Sequence, residues 1–202
     1  MGVVMISRSY LVQPLSLDTP IHGFYQHIHA GNGVFVRARR KGLYAIVPIS
    51  DEGEDFCIPL EPVVELENKI SESAIEQIYI DFVKSLPNER LAWVTSNIEV
   101  IFPAQLATPG MVKPLDEFDP LIENVLFDVH SHNTMEAYFS GQDNKDESKG
   151  FRVFIVIGKV GTLRPQIKAR VGVFGHFMDV PISAVANIPS HLRLEDLYET
   201  AA

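Results

Sequence analysis

The chain has one cysteine, Cys57, in 202 residues. That excludes an internal disulfide and a cysteine-rich metal cage. Long apolar runs are also missing. The stretch 153–158 is among the longest, far below the roughly 18 residues a membrane span needs. Residues 1–10 have no basic segment leading into an apolar run and a cleavage site, so they do not read as a signal peptide. Ile6 stands where N-myristoylation wants Ser or Thr. The expected location is the cytoplasm, away from membranes. Basic residues are scarce, 17 Lys and Arg against 26 Asp and Glu, for a net charge of −9. An acidic chain is poorly suited to coating a nucleic-acid backbone, so no nucleic-acid partner is expected. No internal repeat and no low-complexity tract is present.

What remains is an ordinary globular composition, 46% hydrophobic and 21% charged. The length suits one large domain or two small ones. Residues 50–76 and 116–148 each hold nine acids and one base. The rest is net positive and includes Arg37, Arg39, Arg40 and Lys41, expected to form a solvated turn. The expected class is mixed α/β. Residues 1–68 form a small β-rich region, 69–182 the main domain, and 183–202 a tail with a short helix.

Apolar patterning predicts strands at 34–39, 43–49 and 56–60. Ser73 and Glu76 read as a capping box. They open a helix whose apolar stripe is Ile75, Ile78, Tyr79, Phe82, Val83 and Leu86. Strands follow at 91–95, 98–102, 125–132, 151–157 and 166–174. Short helices are expected at 140–148 and 190–198.

The chemistry concentrates in His130-Ser131-His132 and Ser140-Gly141-Gln142-Asp143. On a strand, residues i and i+2 share a face, so His130 and His132 can aim two imidazoles at one ion. Ser140 and Asp143 share a helix face. Two His and one Asp make a zinc site with a vacant fourth position, the mark of catalytic rather than structural zinc.

This pattern resembles the JAMM motif of the MPN/JAB metalloprotease family over roughly residues 70–180. Family members hold zinc with His, His and Asp. They hydrolyse peptide or isopeptide bonds, often at the C-terminus of ubiquitin-like proteins. Their upstream motif, Pro-x-Glu-x-x-Gly, resembles Pro87-Asn88-Glu89-Arg90-Leu91-Ala92 here. The resemblance implies a curved mixed β-sheet flanked by helices. It implies one zinc per chain, held by His130, His132 and Asp143. Glu89 becomes the base for attack by zinc-bound water, and Ser140 the donor to the oxyanion. The implied partner is a ubiquitin-like protein or peptide substrate. The alternatives are a non-catalytic MPN-fold scaffold for such a partner, or hydrolysis of a small molecule or cell-wall peptide by the same zinc. Two positions depart from the pattern: Asn133 where the family has Pro, and Ala92 where it has Gly. The N-terminal part is similar to the leader of the bacterial cassette family called PRTRC system protein A, whose cassettes also encode ubiquitin-like proteins.

Several residues are set aside. Glu72, Glu76 and Glu99 are rival bases, but Glu72 is expected to be solvated, Glu76 to cap its helix, and Glu99 lacks the preceding helix end. His27-Ile28-His29 has no Ser-x-x-Asp behind it. His22, His176 and His191 stand singly. Cys57, between Phe56 and Ile58, reads as a buried small hydrophobe.

Overall fold

The computed structural model describes residues 7–16, 19–116 and 120–193. It is mixed α/β. The first sheet holds β1 (Ser7–Tyr10), β2 (Gln26–Ala30), β3 (Gly33–Arg40), β4 (Leu43–Ser50) and β5 (Val63–Leu66), in that spatial order. Its β1–β2 pair is parallel and the rest antiparallel. Helix α1 (Glu72–Ser85) leads into β6 (Leu91–Thr95) and β7 (Val100–Ile101). A separate hairpin follows, β8 (Gln105–Thr108) and β9 (Met111–Pro114). Then come β10 (Val125–Ser131), α2 (Gly141–Glu147), β11 (Phe151–Gly158), β12 (Gln166–Val173), β13 (His176–Val180) and α3 (Ile182–Val185).

The second sheet has the order β13-β12-β11-β10-β6-β7. Only β10 and β11 run parallel in it, so a crossover must join them, and α2 lies in that crossover. Alternation along β10 sorts its side chains. Phe127 and Val129 enter the main core, while Asp128 and His130 face the other side. The core joins Ala74, Ile75, Ile78 and Phe82 of α1 to Val36, Ala38, Ala45 and Val47 of the first sheet and to Val153, Ile155 and Ile157 of the second. The first sheet's other face buries a smaller cluster around Ile28, Phe35 and Ile46. No helix among the described residues is long and apolar enough to cross a membrane.

Several expectations are corrected. Residues 56–60 are a loop, not a strand. Their backbone is spent on neighbours: Ile58 N–H donates to Leu11 O at 2.8 Å, and Leu60 N–H to Asn32 Oδ1 at 2.8 Å. The α1 cap is Ser71, whose Oγ accepts from Ala74 N–H at 3.2 Å, and Ser73 lies inside the helix. Glu76 pairs instead with His191, at 3.1 Å. The strand expected over 98–102 shrinks to Val100–Ile101, because Ile98 takes a positive φ of 63° in the turn.

The basic cluster is only in part a solvated turn: residues 41–42 form the turn, with Arg39 and Lys41 exposed, but Arg37 and Arg40 are drawn into the fold. Arg37 is fully buried and donates to Tyr44 Oη at 2.9 Å and Thr19 O at 2.8 Å. Arg40 donates to Phe151 O and Glu123 O, tying the first sheet to the second. Cys57 is half-buried rather than buried. Of the helix expected over 190–198, the described residues hold a 3-10 turn, Ser190–Leu192, capped at Arg193, and residues 194–198 lie outside the described residues.

Candidate metal centre

Sheet register assembles the site. Leu91 on β6 pairs with His130 on β10. Arg90 then brackets Ser131: its N–H donates to Ser131 Oγ at 2.8 Å, and its carbonyl accepts from Ser131 N–H at 2.9 Å. Continuing that register sets Glu89 opposite His132. Cross-strand neighbours have Cβ atoms about 4.5–5.5 Å apart. A glutamate 41 residues upstream is thereby placed beside the His pair.

Past β10 the chain is held against the end of β11. His132 N–H donates to Ile157 O at 2.9 Å, Val160 N–H to Asn133 O at 2.6 Å, and Lys159 N–H to Met135 O at 2.6 Å. Gly158 is required there, since a Cβ would lie 2.3 Å from Ala137 N. This return delivers Ser140 to the start of α2. Ser140 and Asp143 form a capping box: Asp143 N–H donates to Ser140 Oγ at 3.1 Å, and Ser140 N–H to Asp143 Oδ2 at 2.6 Å. The box orients the Asp143 carboxylate toward the histidines.

The three expected ligands converge. His130 Nε2 lies 3.3 Å from His132 Nε2 and 3.6 Å from Asp143 Oδ1, and His132 Nε2 lies 3.7 Å from Asp143 Oδ2. A tetrahedral zinc with ligands at about 2.0–2.2 Å puts donor atoms roughly 3.3–3.6 Å apart. The observed spacings lie close to that range, with the two Asp143 distances taken to different oxygens of its carboxylate. Among the described residues, these three form the metal-type group of His, Cys, Asp or Glu.

Protonation fits a metal as well, since ligands must give up their protons. Burial, outweighing the attraction of Asp143, pulls the His130 imidazole down to about 4 and keeps it neutral. Burial would raise Asp143, but His132, His130 and Ser140 outweigh it and hold the carboxylate below its usual range. One feature runs the other way. A metal-bound His normally donates its second ring N–H, yet His132 Nδ1 is buried without a hydrogen bond. Tyr138 meets that ring edge to face instead, with centroids 4.6 Å apart.

Glu89 is 5% exposed and lines the same cleft of about 490 Å³ as Ser140 and the three ligand residues. Burial raises its carboxyl to about 7, against the pull of His132 and with a push from Asp143. Glu72, Glu76 and Glu99 lie outside this cleft. So do the other histidines. His27 and His176 meet edge to face, with ring centroids 6.1 Å apart, and His29 lies 3.9 Å from Glu54.

Both departures have local causes. Asn133 sits at φ 47°, which proline cannot adopt. Its amide donates to Pro109 O at 2.8 Å, while Glu89 N–H donates to Thr108 O at 2.9 Å. These two bonds tie the β8–β9 turn beside the metal ligands. Ala92 is fully buried in the main core opposite Val129, where its methyl fits.

Sequence reasoning missed the charged groups behind the site. Arg170 donates to Glu147 Oε2 through Nε at 2.8 Å and Nη2 at 2.5 Å, and to Asn144 Oδ1 at 2.7 Å. Its guanidinium lies between the rings of Phe139 and Phe177, at 3.9 and 4.0 Å. This fastens α2, and with it Asp143, to β12. Asp128 was missed too, although it shares a strand face with His130 and so announces itself by the same alternation. Burial raises its carboxyl to about 6, against Arg152.

Residues 71–170 match the family of prokaryotic homologs of the JAB domain. The chain thus carries a domain of the JAB/MPN family. No curated protein matches it. Among solved structures it is similar to the solution structure of protein DSY2949 from Desulfitobacterium hafniense. Identity is 15%, over 61% of this chain and 94% of that one, with a TM-score of 0.39. At that score the likeness says nothing about activity.

Proposed function

We propose that the cleft is the active site of a zinc-dependent hydrolase. It cuts a peptide or isopeptide bond, with the C-terminus of a ubiquitin-like protein as the substrate class. The observation that carries this is the spacing of the His130, His132 and Asp143 donor atoms, 3.3–3.7 Å, beside a buried glutamate. Bound there, zinc supplies a Lewis acid and lowers the pKa of a coordinated water to about 7.

The chain's own groups do the rest. Glu89, poised near neutrality, takes a proton from the attacking water and returns it to the leaving nitrogen. Ser140 Oγ accepts from Asp143 N–H, and its hydroxyl hydrogen, which favours the Asp143 carboxylate, would turn to donate to the oxygen that becomes negative. Exposed Met111, Met135 and Tyr138 rim the cleft, an apolar border suited to a polypeptide. The substrate class itself comes from the family resemblance, and the leader's similarity to the PRTRC cassette proteins points the same way.

The test uses a ubiquitin-like protein carrying a C-terminal extension, with release followed by mass spectrometry. Chelation should abolish cleavage, and one equivalent of zinc should restore it. Cleavage that survives complete removal of metal overturns the proposal.

A further inference from the structure

At the corner where β1 ends, three large side chains stand in water. Tyr10 is 53% exposed, Val12 63% and Phe56 63%. The Tyr10 and Phe56 rings pack on each other with centroids 5.5 Å apart, and Tyr10 also meets the His29 ring at 5.0 Å. Val12 follows directly, its N–H donating to Tyr10 O at 3.1 Å. None of the three lines the cleft. Apolar groups gathered on a surface mark a contact site, where single ones need no explanation.

Phe56 is not exposed because its loop is loose. Glu54 N–H donates to Ala30 O at 3.0 Å, Cys57 N–H to Glu54 O at 2.8 Å, and Gly31 N–H to Ile58 O at 2.8 Å. The loop lies so close on the β2–β3 turn that a Cβ on Gly31 would sit 2.5 Å from Cys57 O. Fixed backbone therefore presents the ring, and little conformational entropy is lost when something docks on it.

Charge decides what docks. Asp51, Glu52, Glu54 and Asp55 precede Phe56, and residues 50–61 hold no Lys or Arg. Asp51, Glu52 and Asp55 are exposed. Glu54 lies 3.9 Å from His29, the ring that Tyr10 packs on, which brings a carboxylate to the edge of the aromatic pair. Arg8 sits opposite His27, at the end of β1 away from the loop. We infer that this corner docks an arginine-bearing segment of a partner polypeptide. The guanidinium lies on the Tyr10 and Phe56 rings beside the acidic loop, with an apolar neighbour against Val12. Guanidinium stacks on aromatic faces and pairs with carboxylates, two features this surface offers together. The same loop repels anionic lipid and nucleic acid. A second copy related by a two-fold axis would bring the acidic loop to both sides of the contact. This surface is apart from the cleft, and the inference does not rest on the hydrolase proposal.

The test is fluorescence anisotropy of labelled Gly-Arg-Leu-Arg-Leu-Gly, beside counterparts with citrulline or glutamate in place of arginine. The arginine peptide should bind saturably, about tenfold more tightly than the uncharged citrulline peptide, and weaken as salt rises. Tyr10→Ser with Phe56→Ser should lower its affinity about tenfold, as should Asp51→Asn with Glu52→Gln and Asp55→Asn. Both variants change exposed side chains, and each is checked for a native circular dichroism spectrum. No saturable binding up to about 1 mM peptide overturns the inference. So does equal binding of the citrulline peptide, tighter binding of the glutamate peptide, or affinity unchanged in both folded variants. Dimerisation of the protein alone that Phe56→Ser abolishes, seen by sedimentation, also overturns it, by giving the surface to a second copy.

Discussion

Glu89→Gln should lower turnover by about 10²–10⁴-fold, the usual worth of a positioned general acid–base. The substitution keeps size and hydrogen-bonding shape but removes the group that accepts a proton. Glu89 is not among the three converging ligand atoms, so zinc content should stay near that of the parent protein. Its backbone N–H still donates to Thr108 O, so the hairpin tether should survive too. The readout is kcat for cleavage of the extended ubiquitin-like substrate, beside metal analysis of the same preparation. A Glu89→Gln protein that binds zinc and turns over normally would remove Glu89 from the chemistry.

The second large effect is on stability. Arg170→Met should cost about 3–5 kcal/mol, because it leaves the Glu147 carboxylate buried without its partner. The side chains are only 6% and 7% exposed, so water does little to screen the loss. The aromatic sandwich from Phe139 and Phe177 loses its cation as well. Replacing both partners by apolar residues, Arg170→Met with Glu147→Leu, should recover most of the loss, since no lone charge then remains. Urea unfolding of the single and double variants measures both. Because Arg170 holds α2, the single variant should also bind zinc more weakly.

The site was legible where local periodicity determines geometry. His130 and His132 follow strand alternation, and Ser140 with Asp143 follows helix spacing. Glu89 came from the motif, and only the β6–β10 register explains its nearness. The strands at 34–39, 43–49, 91–95, 125–132, 151–157 and 166–174 were read to within two residues of their observed ends. What local pattern misses is tertiary pairing. Arg37 looks solvated in a run of basic residues, yet it is buried because Tyr44 and carbonyls of the preceding loop receive it. Ser71 and Ser73 offer the same hydroxyl two residues apart, and only the backbone path shows which reaches Ala74. The β8–β9 hairpin is too short and too rich in Pro and Gly to announce itself, though it stands over the site. Asn133 reads as a lost proline until its φ and its bond to Pro109 are seen.

The most direct test of the whole account is the metal content of protein purified without a histidine tag. About one zinc per chain should be found. His132→Ala, folded by circular dichroism, should lose it. Less than about 0.3 zinc per chain, not recovered when zinc is added back, would contradict the account, because the three donor atoms would then lack the ion their spacing fits.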